Sequence, residues 1–451
     1  MSAQPIADKP FHLIGNFAPV EREVTATDLP VEGALPPELS GLYVRQTPNP
    51  VTGSSPHWFL GDGMVHGVRL ERGRAAWYRN RYVKTPYLQN PDAQRISERG
   101  EIDRTLSKAN THVLRHAGKI LALEEGSFPY VLDGQLETLG CTDFDGKLRS
   151  AFTAHPKICP VTGEMIAFGY GQLPPYLTYL RVSPDGRLVQ SEEIEVGGPT
   201  MMHDFAISER HALFMDLPVV FSLEDALKGL MPFAWSDTYP ARIGVMPRTG
   251  GNKDVRWFPV QPCFIFHTMN AFDEGNTVVL DACRNSEIWR KAGDMQSSQG
   301  KLTLHRFRFD LASGAVKEET LDDRSMEFPR VADAMIGRKN RFCFTLRVEP
   351  GATDSPGFLG ILKTDLATGR SELHDCGPGR SSGEAVFVPA RGADPNSDEG
   401  YLLSYMHDER SGQSEFVVLD ASNLGKPALA RVKLPQRVPN GFHGSWLPDA
   451  T

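Results

Sequence analysis

The sequence lacks several features that mark common functional classes. Its six cysteines, among 451 residues, form no C-x-x-C pair, which suits reduced thiols better than a disulfide framework or a zinc site. No stretch approaches the roughly 18 consecutive apolar residues of a membrane-spanning helix. Residues 1–20 also lack the basic start and apolar run of a secretory signal. These absences predict a cytoplasmic protein.

Charge argues against nucleic acid as the main partner. The chain has 48 Lys and Arg against 56 Asp and Glu, for a formal net charge of −8. No basic block stands out along the chain, and nucleic-acid-binding proteins usually carry one. Hydrophobic residues make up 40% of the sequence, enough to bury a sizeable core.

Short β-rich runs separated by turn residues dominate the chain. Examples are KILAL (119–123), EMIAFGY (164–170), HALFMDL (211–217), RFCFTLRV (341–348) and EFVVLD (415–420). The clearest helix candidate is SLEDALKG (222–229), with Ser222 as the N-cap. Many short strands without intervening helices predict a closed all-β architecture. At this length a β-propeller is favoured over a sandwich, because propellers grow by adding blades of roughly 40–50 residues.

Glycine and proline indicate how the chain is divided. The 42 Gly and 34 Pro are spread evenly, so no Gly- or Pro-rich linker separates two units. We therefore expect residues 1–451 to form a single domain, with about the first 20 residues loosely ordered.

Four of the 13 histidines share a local setting. Each lies beside apolar or aromatic residues and near the end of a predicted strand. They are His155 in AHP, His203 in MHD, His267 in FHT and His443 in FHG. Inner strands of different propeller blades converge on the central axis, so four imidazoles could meet there, and neutral imidazole binds iron, copper, zinc or nickel. The spacing alone leaves a metal site and four unrelated histidines both open.

Longer motifs around these histidines resemble the carotenoid cleavage oxygenase family, almost from end to end. The motifs are GLYVRQTPNP (41–50), HWFLGDGMVHG (57–67), NTHVLRHAGKILALEEG (110–126), TAHPKICPVTGE (153–164), MMHDFAISE (201–209), FHTMNAFDE (266–274), EFPRV (327–331), GEAVFVP (383–389) and PQRVPNGFHGSW (435–446). They occur in the family's order.

The resemblance implies a fold and a cofactor. The fold is a seven-bladed β-propeller with a helical or loop cap over the iron-bearing face. The cofactor is Fe(II), one per chain, bound on the axis by His155, His203, His267 and His443. Members of the family use O2 to split a carbon–carbon double bond into two carbonyl fragments, without an organic cofactor. Four neutral ligands would leave the iron its full 2+ charge and open positions for O2.

The resemblance also implies roles for residues around the metal. Glu125 in ALEEG, Glu327 in EFPRV and Glu384 in GEAVF match carboxylates that accept a hydrogen bond from a ligating imidazole. Such a bond fixes the tautomer and the orientation of the ring. Three carboxylates leave one histidine without a partner, and on the resemblance it is His155. Thr111 matches a threonine that narrows access to an open iron position.

The substrate is expected to be a carotenoid or an apocarotenoid. Stilbene cleavers that resemble this chain hold a phenol with a Lys just before the second glutamate of the ALEEG block and with a Tyr from the preceding loop. Here Glu124 stands in place of the Lys, and residues 90–107 contain no Tyr. Phe59 matches an aromatic residue of the pocket. The blocks WYRNRYVKTP (77–86), YPARIGVMPR (239–248) and PQRVPNGFHG (435–444) look closest to bacterial, actinobacterial-type carotenoid cleavers.

Several alternatives stay open from the sequence. One is a stilbene-cleaving dioxygenase, with Glu124 pointing outward and Lys108 reaching the pocket. Another is a propeller binding module that has lost catalysis. The apolar segment 218–235 is read either as part of a cap or membrane-facing patch, or as a buried amphipathic helix. Peripheral membrane contact and the oligomeric state are left open.

Overall fold

The protein folds mainly into short antiparallel strands. In this computed structural model, the described residues are 9–97, 99–228, 230–292, 300–349 and 357–449. The strands in the first part of the chain are β1 (Thr25–Thr27), β2 (Val31–Gly33), β3 (Gly41–Pro48), β4 (Gly63–Glu71), β5 (Arg74–Tyr82), β6 (His112–His116), β7 (Lys119–Leu123), β8 (Tyr130–Leu132), β9 (Thr138–Cys141), β10 (Lys157–Ile158), β11 (Met165–Tyr170), β12 (Leu177–Val182), β13 (Leu188–Glu193), β14 (Ala206–Ile207), β15 (His211–Asp216), β16 (Val219–Phe221) and β17 (Phe233–Trp235).

The strands in the second part are β18 (Arg242–Pro247), β19 (Arg256–Pro259), β20 (Phe264–Glu274), β21 (Thr277–Asn285), β22 (Leu302–Asp310), β23 (Val316–Asp322), β24 (Met326–Arg330), β25 (Phe342–Val348), β26 (Phe358–Asp365), β27 (Arg370–Asp375), β28 (Arg380–Ser382), β29 (Val386–Pro389), β30 (Gly400–Asp408), β31 (Gln413–Asp420), β32 (Ala430–Lys433) and β33 (Gly444–Pro448). The described residues also form two short α-helices, α1 (Pro86–Gln89) and α2 (Leu223–Leu227), and 3-10 turns at Phe11–Leu13, Gly15–Phe17, Trp58–Leu60, Asn252–Asp254 and Asp333–Met335.

Seven sheets of four or more strands form a seven-bladed β-propeller, as the family resemblance implies. The blades are β1-β5-β4-β3-β33, β6-β7-β8-β9, β10-β11-β12-β13, β14-β15-β18-β19, β20-β21-β22-β23, β24-β25-β26-β27, and β2-β32-β31-β30 with β28 and β29. A two-stranded hairpin, β16-β17, stands apart from them. Two blades combine strands from opposite ends of the chain. In the first, β33 pairs antiparallel with β3, and in the last, β2 pairs with β32. These pairings close the ring of blades by joining the two ends of the chain.

The hydrophobic core lies between the faces of neighbouring blades. Strands such as β3 are buried at every position, because each face of a blade packs on the next blade.

The predicted elements match the structure closely. KILAL coincides with β7, and the four other predicted runs overlap β11, β15, β25 and β31. The predicted helix forms α2, and its cap is Ser222, whose hydroxyl accepts from Asp225 N at 3.2 Å. In the described part of the chain, no helix has the length and apolar character needed to cross a membrane.

The N-terminal segment contacts the propeller over its described part. Residues 1–8 of the segment expected to be loosely ordered lie outside the described residues. Further on, the Phe17 ring lies 5.2 Å from the Trp58 ring, and Asn16 Nδ2 donates to Asn440 Oδ1 at 2.8 Å. Residues 11–17 therefore cover part of the surface near the propeller axis.

Candidate metal centre

Each of the seven blades contributes one histidine or glutamate to a cluster on the axis. His155 and His203 lie just before β10 and β14, His267 lies in β20, and His443 immediately precedes β33. The remaining three blades supply Glu125 after β7, Glu327 in β24 and Glu384 between β28 and β29. Six of these residues lie in or beside a strand at one edge of its sheet, and Glu125 follows β7, which pairs with the edge strand β6. The structure thus brings together all seven residues that the sequence motifs single out.

The four imidazoles point their Nε2 atoms at one another. Nε2 of His203 lies 3.0 Å from that of His155 and 3.2 Å from that of His267, which lies 3.1 Å from that of His443. Their ligand atoms all lie within 4.8 Å of one another, and all four residues are buried. Two nitrogens bound at right angles to a common metal at roughly 2.1 Å would be roughly 3.0 Å apart. The spacing therefore fits a shared metal ion.

Carboxylates fix the tautomer of three of the rings. His267 Nδ1 donates to Glu327 Oε2 at 2.5 Å, and His443 Nδ1 donates to Glu384 Oε1 at 3.0 Å. His203 Nδ1 contacts Glu125 Oε1. A neutral imidazole that carries its proton on Nδ1 has only a lone pair on Nε2. Three such lone pairs directed at one point repel one another unless a cation lies between them, and this is the strongest sign of a metal site.

His155 differs from the other three histidines. Its backbone N–H donates to Thr153 Oγ1 at 2.9 Å, and no carboxylate contact to its ring is recorded among the described residues. Burial, followed by the neighbouring His443 and His203, holds its pKa well below the usual range. His155 is therefore neutral and has a nitrogen lone pair available for a metal.

Two other rings of the cluster, His443 and His267, have pKa values that are shifted in opposite directions. Burial and the neighbouring His267 hold the pKa of His443 well below its usual range. Burial acts in the same direction on His267, but the Glu327 carboxylate beside it outweighs burial and raises its pKa.

A buried aspartate ties together the segments that carry three of the histidines. Asp204 Oδ1 lies 2.8 Å from Lys157 Nζ, and Asp204 Oδ2 accepts from both N and Oγ1 of Thr268 at 2.8 Å. Lys157, Asp204 and Thr268 follow His155, His203 and His267 by one or two positions. Asp204 is 1% exposed. Burial alone would raise the pKa of its carboxyl group, but the neighbouring Lys157 ammonium opposes burial, and the pKa is lowered. The sequence motifs did not single out this residue.

Backbone irregularities direct two of the side chains at the axis. The register of β20 against β21 shifts on either side of Thr268, next to His267. The pairing of β24 with β25 shifts just after Glu327, where Phe328 has φ = +53°. Bulges of this kind re-aim side chains near functional sites, and positive φ is unfavourable for a bulky residue. Glu327 Oε2 also accepts from Phe328 N at 2.7 Å, which holds the turn.

The cluster forms part of the wall of a large cavity. The cavity has a volume of about 1730 Å3 and is lined by His203, His267, His443 and Thr111 together with many aromatic side chains. Phe59 is at the centre of this aromatic lining, with ring centroids 5.6 Å from Phe442, 6.3 Å from Trp289 and 6.5 Å from Phe266. The Thr111 carbonyl oxygen accepts from His443 N at 3.1 Å. Thr111 therefore lies beside a metal-facing histidine at the wall of the cavity.

Glu124 lies in the cavity wall, and the structure does not place Lys108 there. Glu124 Oε2 accepts from Ser127 Oγ at 2.6 Å, and Glu124 Oε1 lies 3.6 Å from Arg95 Nη1. Lys108 Nζ instead pairs with Asp62 Oδ1 at 2.8 Å and stacks over the Tyr87 ring. The alternative in which Glu124 points away and Lys108 reaches the pocket is therefore wrong.

Tyr170 and His112 are further neighbours that the sequence motifs missed. Tyr170 lines the cavity, and its hydroxyl donates to Glu125 Oε2 at 2.5 Å. Burial and the Glu125 carboxylate raise its pKa well above the usual value, so it stays protonated and acts as a donor. His112 packs 5.6 Å from the His443 ring, and burial lowers its pKa to about 3. Both contacts join residues that are distant in sequence, so no local pattern predicts them.

Together, the fold and the site define a seven-bladed propeller with a cluster of four buried histidines beside a large cavity. The family model described as retinal pigment epithelial membrane protein (RPE65) matches residues 17–448. A carotenoid cleavage oxygenase of Mycobacterium tuberculosis is 38% identical, with 99% of each chain covered. A carotenoid 9,10(9',10')-cleavage dioxygenase of Crocus sativus is 39% identical over 98% of this chain and 90% of the relative.

Solved structures with a similar fold include a lignostilbene dioxygenase and an apocarotenoid oxygenase. Pseudomonas brassicacearum lignostilbene dioxygenase superposes with a TM-score of 0.89 and 32% identity, covering 99% of this chain and all of that chain. Cobalt-substituted Synechocystis apocarotenoid oxygenase gives a TM-score of 0.85 and 28% identity over 96% of this chain and 98% of that chain. The chain belongs to the RPE65 and carotenoid cleavage oxygenase family. It is a dioxygenase of the kind that cleaves carbon–carbon double bonds.

Proposed function

We propose that the protein is a non-heme Fe(II) dioxygenase that cleaves a carbon–carbon double bond of a carotenoid or an apocarotenoid. His155, His203, His267 and His443 would hold one iron per chain. The reaction consumes the alkene and O2 and forms two carbonyl products, each of which receives one oxygen atom. Bound iron would supply the redox chemistry that lets O2 react with an alkene.

The observation that carries this proposal is the convergence of four Nε2 atoms at the wall of the cavity. Three successive Nε2 pairs are 3.0–3.2 Å apart. Separations of this size fit four nitrogens that share one ion at roughly 2.1 Å. Four neutral imidazoles would hold Fe(II) and leave it its full 2+ charge for the reaction with O2.

The size and lining of the cavity support a polyene substrate. Its volume of about 1730 Å3 exceeds the roughly 300–1000 Å3 of common small-molecule pockets. Phe59, Phe266 and Trp289 offer apolar surface to a conjugated chain, at roughly 25 cal/mol per Å2 buried. The relatives named as carotenoid cleavage oxygenases support the same class of substrate.

The protein's own residues would hold the ligands and shape access to the metal. Glu125, Glu327 and Glu384 would keep the proton on Nδ1 of His203, His267 and His443, respectively. Thr111 would narrow the approach to the metal from the cavity. The aromatic walls would exclude water from the alkene and orient it beside the four histidines.

A stilbene substrate is the second candidate. The likeness to a lignostilbene dioxygenase favours it. Against it, Glu124 stands where a phenol-holding Lys would be, and Lys108 pairs with Asp62 instead of lining the cavity.

Two further proposals concern the whole chain. Because β33 pairs with β3 and β2 pairs with β32, we propose that the chain forms one domain. We also propose a cytoplasmic protein that makes peripheral contact with a membrane through α2. Its Leu223 and Leu227 and the following Leu230 are 64%, 81% and 50% exposed, and Met231 and Pro232 then line the cavity. Exposed apolar clusters beside a cavity suit delivery of an apolar substrate from a bilayer.

The proposal is tested by reconstituting metal-free protein with Fe(II), Co(II) or Zn(II) and following an apocarotenal by chromatography and mass spectrometry. We expect two carbonyl products only with Fe(II), and none from His203→Ala or His267→Ala. Full activity of an iron-free, zinc-loaded preparation would refute the proposed metal.

A further inference from the structure

Arg330 lies beside the carboxylate that orients His443. Its Nη1 is 3.6 Å from Glu384 Oε2 and donates to the Gly444 carbonyl oxygen at 3.3 Å. Its Nη2 is 3.6 Å from Asp333 Oδ1. The guanidinium group therefore contacts both the carboxylate that accepts from His443 and the residue that follows His443 in the chain.

These contacts form a closed ring next to the His443 side chain. Gly444 N donates to Glu384 Oε2 at 2.8 Å, and the other oxygen, Oε1, accepts from His443 Nδ1 at 3.0 Å. Arg330 Nη1 completes the ring, because it contacts both the Gly444 carbonyl oxygen and Glu384 Oε2. Removal of the guanidinium group would therefore loosen both groups that fix the direction of the His443 ring.

Glu384 depends on a counter-charge more than the other two carboxylates of the cluster do. Its side chain is 1% exposed, compared with 16% for Glu125 and 13% for Glu327. Among the described residues, Arg330 is the one lysine or arginine within 4.0 Å of it. A buried carboxylate that loses its partner is strongly destabilised. Burial acts to lower the pKa of Arg330, but Glu384 outweighs burial and raises this pKa, so Arg330 keeps its charge.

Arg330 lies outside the cavity assigned to the substrate. Together with Glu384 it lines a second, smaller cavity of about 340 Å3, which His155, His267 and His443 also line. The described lining of the large cavity includes neither Arg330 nor Glu384. A change at Arg330 can therefore alter the metal centre while the surface that contacts a polyene stays the same.

We propose that Arg330 is a positioning residue of the metal centre, which holds the Glu384 carboxylate and, through it, the His443 ring. This inference rests on the proposed function and deepens it, because it assigns a further residue to the site that would bind iron. The strand β24 then serves two histidines. Its Glu327 accepts from His267, and its last residue, Arg330, holds the acceptor of His443.

Metal binding tests this role without turnover. Metal-free protein is titrated with Co(II), because the visible absorption of Co(II) reports its ligand set and the titration gives a Kd. We expect Arg330→Met to raise the Kd for Co(II) by roughly tenfold, and to change the absorption spectrum in the same direction as Glu384→Gln does. Arg330→Lys keeps the charge without the planar fork, and should therefore recover part of the affinity.

A double-mutant cycle separates this role from a general effect on folding. If Arg330 acts through Glu384, adding Arg330→Met to Glu384→Gln should raise the Kd by no more than about twofold, whereas independent effects would multiply. The matched control is Arg306→Met, which removes the arginine that pairs at 2.7 Å with Asp281, another fully buried carboxylate. It should lower Tm and leave the Kd and the spectrum of Co(II) unchanged.

Substrate binding provides a second readout. Quenching of tryptophan fluorescence reports binding of an apocarotenal to metal-free protein, because Trp58 and Trp289 line the large cavity. Arg330→Met should bind the apocarotenal as tightly as the wild type does. Thermal unfolding of each variant checks that it is folded at the temperature of the titrations.

Three outcomes would overturn the role of Arg330: a wild-type Kd and spectrum in Arg330→Met, multiplied effects in the double variant, or an equal loss of Co(II) binding in Arg306→Met. If one of these occurs while iron-loaded wild-type protein cleaves a polyene, the role of Arg330 fails alone. If Co(II) binding responds as expected but the iron-loaded wild type cleaves no polyene, the proposed function fails and the role of Arg330 stands.

Discussion

Replacement of Glu384 by glutamine perturbs one metal-facing histidine with little change in shape. Glu384 Oε1 accepts from His443 Nδ1 at 3.0 Å, and Oε2 accepts from Gly444 N at 2.8 Å. The residue is 2% exposed. In Glu384→Gln the amide keeps one oxygen, but its NH2 group faces one of the two donors. One N–H group therefore loses its acceptor.

The magnitude follows from that lost acceptor. A buried donor left unpartnered is destabilised by about 1–3 kcal/mol, which corresponds to roughly 5- to 150-fold in an equilibrium constant. Substitution of residues that orient metal ligands typically weakens metal binding by roughly 10–100-fold. We therefore expect Glu384→Gln to raise the Kd for Fe(II) by roughly 10–100-fold and to lower turnover at limiting iron.

The assay is an anaerobic calorimetric titration of metal-free protein with Fe(II), combined with thermal unfolding of the same preparation. Glu415→Gln is the matched control, since Glu415 is a buried glutamate of the same sheet that pairs with Arg380 at 2.7 Å and Arg431 at 2.9 Å. It should lower Tm and leave the Kd for Fe(II) within about twofold. A wild-type Kd in Glu384→Gln would refute the reasoning.

Three other predictions concern Asp204, the choice of substrate, and the exposed leucines of α2. Asp204→Asn leaves Lys157 without its counter-charge, so it should lower Tm and weaken Fe(II) binding by roughly tenfold. Adding Lys157→Met should recover Tm. If neither Tm nor Fe(II) binding changes in Asp204→Asn, Asp204 does not hold the histidine segments together. An apocarotenal should have a higher kcat/KM than resveratrol on one preparation, and a tenfold or greater preference for resveratrol would favour the stilbene alternative. Leu227→Glu should reduce co-sedimentation with phospholipid vesicles severalfold. The control, Leu139→Glu, changes a 67% exposed leucine on β9 and should have no such effect. Equal effects of the two substitutions would argue against a membrane-contacting patch at α2.

Local sequence patterns were sufficient for five of the strands and for α2. β7 and β11 follow from short β-rich runs between turn residues, and α2 follows from Ser222 as its cap. The closure of the ring does not follow from such patterns, because the pairing of β33 with β3 joins segments almost 400 residues apart. Blade count and closure came from the family resemblance.

The motifs singled out the residues that cluster on the axis, but they did not predict the network that holds them. Asp204 was visible only as the residue after His203, although its carboxylate contacts segments from two other blades. Tyr170 lies 45 residues from Glu125, whose carboxylate accepts a hydrogen bond from its hydroxyl. Contacts of this kind depend on how blades and loops meet in three dimensions, which no local spacing encodes.

Turnover of an apocarotenal as a function of bound iron per chain tests the central claim most directly. Metal-free protein is loaded stepwise with Fe(II), and metal content and the two carbonyl products are quantified on the same samples. We expect turnover to rise in proportion to iron and to level off at about one iron per chain, with His203→Ala inactive throughout. Turnover that is independent of iron content, or that Zn(II) restores fully, would contradict a four-histidine iron centre.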